Sequence, residues 1–269
     1  MKTEIIIVGA LGRMGVEIAK VALADEDVSI AACVEYPSHP SVGKDYGECI
    51  GVGHLGIAVA PSLDEINLEK KVVIDFSSIE STRANLKNLP EKGNFSMVIG
   101  TTGLQEDDYQ LAQNASKHIA VLVSPNTSLG VNLLFSLTEL VASSLKDRFD
   151  MEIIEAHHRF KKDSPSGTAK RLGEIISSVL EKSYDEAVVD GRSGMASQTR
   201  PATEVGMHAV RGGDIVGDHT VLFAGIGERI ELRHMAHSRS TFARGAVETA
   251  KWISSKDVGF YSMKDVLGI

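Results

Sequence analysis

The stretch EIIIVGALGRMG, residues 4–15, decides the fold. Four β-branched residues, Ile5 to Val8, run without polar alternation, as in a strand covered on both faces of a parallel sheet. Gly9, Gly12 and Gly15 then open a helical pattern with Val16, Ala19, Lys20 and Leu23 at its spacing. Val28–Val34 reads as a second strand and ends at Glu35, so the first 35 residues form one strand–glycine turn–helix–strand unit. Bare Gly-x-x-Gly-x-x-Gly is a common spacing, and Leu11 stands where a dinucleotide fingerprint usually has glycine. The context gives the motif its meaning: a strand before, a helix after, and an acid 20 residues beyond Gly15. Backbone N–H groups at such a helix start can receive a pyrophosphate, and Glu35 can accept from ribose hydroxyls.

The alternation continues. Lys71–Phe76, Phe95–Gly100 and His118–Val123 are short apolar strands, with helical stretches at Ser81–Leu89 and Asp107–Lys117. Tyr36–Gly56, rich in Gly, Pro and Ser, reads as loop. Gly100-Thr101-Thr102-Gly103 and Ser124-Pro125-Asn126-Thr127 fall at carboxyl ends of strands, the edge where open α/β sheets bind ligands. Ordinary turn chemistry explains the same residue types equally well.

After Pro125 the pattern changes. Leu134, Leu137, Val141 and Leu145 form one helix face, Met151–His157 a strand, and Thr168–Glu181 an amphipathic helix. Asp185–Arg200 reads as loop. Glu204–Val210, Asp218–Ala224 and Glu228–Met235 read as three antiparallel strands, and Phe242–Ser254 as a terminal helix. The expected architecture is α/β: a Rossmann-like parallel-sheet dinucleotide domain, 1–128 with 239–269, and an α+β substrate-binding domain with a mixed or antiparallel sheet, 129–238.

Composition narrows the function. The 269 residues suit about two domains at roughly 150 residues each. With 28 Lys+Arg against 36 Asp+Glu, the net charge of −8 argues against a phosphate-backbone binder of nucleic acid. Cys33 and Cys49 cannot build a disulfide framework, and neither they nor the histidines match a metal-site spacing. The apolar start is too short for a signal peptide, and polar residues interrupt the uncharged stretch 119–138, so a soluble, cytoplasmic protein is expected.

Against this acidic background, EAHHRFKKDSPSGTA at 155–169 concentrates positive charge at a strand end and then opens a helix. His157 and His158 point to opposite sides of the strand. Gly167 and Thr168 at the helix start, with Ser166 as N-cap, suit a carboxylate or phosphate. A proton-exchanging histidine beside an anion pocket points to a small dianionic substrate. A structural histidine pair and a solvated cation run remain the competing reading at this point. So do another two-domain dehydrogenase acting on an amino acid or semialdehyde, and a redox sensor that binds NADH without chemistry.

The chain resembles the 4-hydroxy-tetrahydrodipicolinate (dihydrodipicolinate) reductase family. The matching residues are VGALGRMG at 8–15, Glu35, DFS at 75–77, IGTTG at 99–103, SPNTSLGVN at 124–132, the 155–169 segment, RGGDIVGDHTVLFAGIGERIELRH at 211–234 and FARGA at 242–246. The resemblance implies NAD(P)H-dependent reduction giving (S)-2,3,4,5-tetrahydrodipicolinate, in diaminopimelate and lysine biosynthesis. It implies cofactor contacts from Gly9, Ala10, Leu11, Gly12, Arg13, Met14, Glu35, Gly100, Thr101, Thr102, Ser124, Pro125, Asn126 and Thr127. His157 would be the main proton donor and acceptor, Lys161 a second proton donor, and His158, Gly167 and Thr168 substrate contacts. The resemblance also implies a homotetramer, with 129–238 as the oligomerisation domain. Tyr36 stands where some relatives carry a basic residue; beside Glu35 this favours NADH over NADPH. Thr127 replaces a common aromatic, and Phe160 a commonly polar residue.

Overall fold

The isoleucine run becomes strand β1, Thr3–Val8, in a computed structural model that describes residues 2–195 and 199–269. Its alternate side chains enter two different cores. Ile5 and Ile7 pack in one cluster with Ile18, Ala246 and Ala250, while Ile6 and Val8 join Leu86, Leu89, Ala112 and Ala115 in another. Both faces are covered, which is why the run carries no polar alternation. The chain continues through α1 (Arg13–Leu23), β2 (Val28–Val34), α2 (Tyr46–Ile50), β3 (Val59–Ala60), β4 (Val72–Asp75), α3 (Ile79–Asn88), β5 (Ser96–Ile99), α4 (Glu106–Ala115) and β6 (Ala120–Val123). The loop expected over 36–56 therefore contains a helical turn. Asp45 caps it by accepting from the Glu48 N–H, and the same carboxylate receives the N–H groups of Leu55, Gly56 and Ile57.

The chain divides into two units, Met1–Leu129 with Arg239–Ile269, and Gly130–Ser238. The second unit holds most of α5 (Leu129–Leu145), then β7 (Asp150–His157), α6 (Gly167–Val179), α7 (Tyr184–Ala187), β8 (Val188–Asp190), β9 (Val205–Arg211), β10 (Gly217–Ala224) and β11 (Arg229–Ala236). Its five strands lie in the order β11-β10-β7-β9-β8. Helix α6 packs on one face, with Met151 and Ile153 of β7, Met207 of β9 and Val221 and Phe223 of β10 beneath it.

Three expectations for this unit are corrected. The strand at 204–210 is not part of an antiparallel trio: β9 runs parallel to β7 and β8, while only β10 pairs antiparallel, with β7 and β11. Period-2 alternation is the same in parallel and antiparallel neighbours, so the pattern does not contain this distinction. The loop expected over 185–200 begins with α7 and β8, whose pairing partner β9 is remote in sequence; its residues 196–198 lie outside the described residues. On α5 the buried stripe is Val131, Leu134, Thr138 and Ala142, and Leu137 is exposed.

The chain returns to the first unit as α8 (Ser240–Ile253), β12 (Gly259–Tyr261) and α9 (Met263–Leu267). Strand β12 pairs parallel to β6 and completes a seven-stranded, all-parallel sheet, β12-β6-β5-β4-β1-β2-β3. No helix among the described residues is long and apolar enough to cross a membrane.

Helix α8 lies tight against the loop after β6: a Cβ at Gly245 would stand 1.7 Å from the Thr127 carbonyl oxygen. Backbone cannot yield there cheaply. Gly245→Ala is expected to lower stability by about 1–3 kcal/mol, read as a reduced urea midpoint. Gly212→Ala, where a Cβ meets nothing within 4 Å, is expected to stay within about 0.5 kcal/mol of the parent.

Candidate active site

In the first unit the carboxyl ends of five strands are sewn into one continuous edge by backbone hydrogen bonds. Ser124 N donates to Ile99 O at 2.8 Å, Gly100 N to Asp75 O at 2.9 Å, Phe76 N to Val8 O at 3.2 Å and Gly9 N to Val34 O at 3.0 Å. The loops after β6, β5, β4, β1 and β2 are thereby held side by side. The glycine turn is packed closely at Gly9 and Gly15, where a Cβ would collide with backbone. Gly9 has φ +73°, and a Cβ there would lie 2.8 Å from the Phe76 carbonyl oxygen; at Gly15 it would lie 2.3 Å from the Gly9 oxygen. These are the tight turn and the close packing of helix on strand that the first and third glycines of a dinucleotide motif provide.

Glu35 is half-buried beside the turn. Its Oε2 accepts from the Leu11 N–H at 2.9 Å and its Oε1 from the Tyr36 N–H at 3.2 Å. A cavity of about 520 Å³ opens there, lined by Gly9, Gly12, Glu35, Tyr36 and, from other segments, residues such as Ser62, Asp64, Ser77 and, on α3, Asn85. Gly9, Gly12 and Glu35 are thus brought together. Arg13 and Thr102 are exposed, Ala10 is buried, and Leu11 and Met14 lean into the core. Thr101 is buried, its hydroxyl 2.9 Å from that of Thr82, which donates to the buried Asp75 at 3.2 Å. Burial raises the pKa of Asp75. In the loop after β6, the Ser124 hydroxyl donates to Asn126 O at 2.7 Å and that of Thr127 to Phe242 O at 2.7 Å; Pro125 is exposed.

In the second unit, the face of β7 that covers the core ends in two polar side chains. Met151 and Ile153 are followed at the same pleat positions by Glu155 and His157. Glu155 is completely buried. Its carboxylate receives His157 Nδ1 at 2.6 Å, both terminal nitrogens of Arg211 at 2.8 Å and the Ser166 N–H at 3.0 Å. Arg211 reaches it because parallel pairing sets the end of β9 beside the end of β7, His157 opposite Arg211. Burial opposes the charge of Glu155, but Arg211, His157 and the Ser166 N–H outweigh it and hold its pKa below the ordinary carboxylate value. The Arg211 guanidinium is held above its ordinary value by the same contact.

Burial lowers the pKa of His157, an effect that the Glu155 carboxylate partly offsets. His219, directly opposite Glu155 on β10, stacks edge-on to His157 with centroids 5.1 Å apart, and its Nε2 lies 3.0 Å from the Ser166 hydroxyl. Burial, and then the neighbouring His157, depress its pKa to about 3, so it is neutral throughout the physiological range.

Ser166 joins this cluster to the start of α6. Its hydroxyl accepts from the Ala169 N–H at 3.2 Å as N-cap, placing Gly167 and Thr168 in the opening turn. Lys161 is half-buried, with Nζ 3.0 Å from the Asp163 carboxylate. His158 lies just beyond the strand; its Nδ1 is buried with no partner among the described residues, and its ring stands 6.3 Å from that of Phe160. The structure thus ties His157 to the α6 start through Glu155 and Ser166, and gives Lys161 a separate acidic partner.

Asp75, Glu155, Arg211 and His219 received no role from the sequence beyond their places in matching motifs. Glu155 and His157 were legible as an i, i+2 pair on one strand face. Arg211 was not, because its partner is 56 residues away.

Known proteins bear directly on this arrangement. Residues 3–127 match the family model described as dihydrodipicolinate reductase, N-terminus, and residues 130–267 match the C-terminus model. A 4-hydroxy-tetrahydrodipicolinate reductase of Aquifex aeolicus is 50% identical over 272 aligned residues, covering 100% of both chains. One from Citrifermentans bemidjiense is 44% identical, covering 99% of each. Among solved structures, dipicolinate-bound dihydrodipicolinate reductase from Paenisporosarcina sp. TG-14 aligns with TM-score 0.75 at 21% identity, over 97% of this chain and 98% of that one; this likeness concerns the fold. Matches at both halves and full-length identity of this order lead to one conclusion: the chain belongs to the dihydrodipicolinate reductase family.

Proposed function

We propose that this chain reduces 4-hydroxy-tetrahydrodipicolinate with NAD(P)H to (S)-2,3,4,5-tetrahydrodipicolinate, in the diaminopimelate and lysine pathway. Substrate, reduced cofactor and one proton give product, oxidised cofactor and water. The observation that carries the reading is the Glu155–His157 pair beside the start of α6, in a chain 50% identical end to end to a reductase of that name. The dipicolinate in the Paenisporosarcina structure is a cyclic dicarboxylate of the kind the basic segment suits.

When bound, the reduced nicotinamide supplies the hydride. The turn at Gly9–Met14 with Glu35 would hold its pyrophosphate and ribose, and the loops Gly100–Thr102 and Ser124–Thr127 its nicotinamide end. His158 and the N–H groups of Gly167 and Thr168 would bind the substrate carboxylates, with Lys162 adding positive charge. Lys161 would stabilise the negative charge that develops in the ring as hydride arrives, and His157 would deliver the proton. The pKa of His157 is lowered in the free protein, and a dianion bound close by raises it toward a competent proton donor.

Three finer features belong to the same proposal. NADH is preferred over NADPH: the cavity beside the glycine turn carries the carboxylates of Glu35 and Asp64 and no lysine or arginine in its lining, which disfavours a 2′-phosphate. The second unit assembles a homotetramer: the sheet face opposite α6 exposes Ile154, Val210 and Met235, a surface suited to burial against other copies. The setting is the cytoplasm.

His157→Gln and Lys161→Ala should each cut substrate-dependent NADH oxidation by about 10²–10⁴ while both variants stay folded and NADH affinity stays unchanged. Near-normal turnover in both would refute the assigned roles. The wild type should show a lower KM for NADH than for NADPH. Glu35→Gln should narrow that preference by at least about fivefold, the equivalent of roughly 1 kcal/mol between two charges in water; an unchanged ratio would overturn the cofactor argument.

A further inference from the structure

Glu155 has no surface at all, yet three different elements supply its hydrogen bonds. An ionised carboxylate has only acceptors, so the short contact to His157 requires the proton on Nδ1 of the imidazole. In the neutral ring Nε2 is then the basic nitrogen, and among the described residues no protein group bonds it. Gly217 stands beside that atom: a Cβ there would lie 3.0 Å from Nε2. The carboxylate therefore selects the tautomer, and the glycine keeps the selected nitrogen clear.

We propose that Glu155 is the positioning residue for His157, fixing the imidazole with Nδ1–H toward Glu155 and Nε2 as the nitrogen that exchanges the proton. This inference rests on the assignment of His157 as proton donor. Arg211 has a supporting part, since its two-pronged contact keeps Glu155 ionised and aimed at Nδ1. The groups that face His157 are Glu155 on its own strand, Arg211 from β9, His219 from β10 and Lys161 from the following loop. Of these only Glu155 is anionic. It alone favours the imidazolium, in which Nδ1–H stays with Glu155 and Nε2–H goes to substrate. The imidazolium is the competent donor, so kcat/KM falls as pH rises through the His157 pKa. Removing the negative charge at 155 lowers that pKa and moves the fall to lower pH.

The test combines spectroscopy of the wild type with two variants. In protein labelled with ¹⁵N-histidine, the His157 resonances, assigned by their loss in His157→Gln, should report the Nδ1–H tautomer. Glu155→Gln should lower kcat at least ~10-fold, with NADH affinity unchanged, and shift the alkaline limb of kcat/KM to lower pH. Glu155→Asp, which keeps the charge, should leave that limb closer to the wild-type position. An Nε2–H tautomer in the wild type would overturn the proposal even if Glu155→Gln failed to fold. So would a Glu155→Gln enzyme with wild-type kcat and pH profile while His157→Gln is inactive, and the role of His157 would then stand. Near-normal turnover of His157→Gln would remove the parent assignment together with this one.

Discussion

A carboxylate with no solvent has to be neutralised where it sits, and the end of β7 is built around that requirement. Glu155 is reached by a guanidinium from β9, an imidazole from its own strand and a backbone N–H from the cap of α6. Removing one partner from a buried ion pair typically costs about 3–5 kcal/mol, so these elements are held to one another through the charge. The backbone repeats the connection: Gly212 N donates to His157 O at 2.9 Å and Arg159 N to Gly213 O at 3.2 Å. The basic segment after β7, the loop after β9 and the start of α6 are consequently fixed around His157. A rigid frame of this kind lets a proton be delivered along a defined direction.

The first unit solves a different problem with the same economy of parts. Its strands are apolar on both faces, so polar groups collect where the strands end, and neighbouring loops share backbone hydrogen bonds along that edge. The glycine turn offers N–H groups at the start of α1, and Glu35 fixes the turn by accepting from Leu11. Behind the loop after β5, Asp75, Thr82 and Thr101 form a buried polar chain. One unit thus gathers oriented backbone donors along a sheet edge, and the other gathers a guanidinium and an imidazole around a buried carboxylate.

How much of this could be read from the residues depends on where the cause lies. Strand β1 was legible because burial on both faces imposes an unbroken apolar run, and β2 agrees residue for residue with its expected span, Val28–Val34. The parallel direction of β9 was not, since alternation records which face is buried and not the direction of the neighbour. The stripe on α5 was misread at Leu137 because Thr138 takes the buried position through helical phase. At the site, the 155–169 segment carried its chemistry on its face, and the family resemblance supplied roles residue by residue. Arg211 and His219 were invisible as partners because they come from β9 and β10, and only the sheet register sets them around Glu155.

The proposed function requires hydride to pass from a nicotinamide to a cyclic dicarboxylate on this protein. The direct measurement uses NADH deuterated at both C4 positions with freshly generated 4-hydroxy-tetrahydrodipicolinate, and mass analysis of the product. One deuterium per tetrahydrodipicolinate formed, with the proton coming from solvent, is the predicted result. Cofactor oxidation without deuterium in the product, or binding of NADH with no substrate-dependent oxidation, would contradict it.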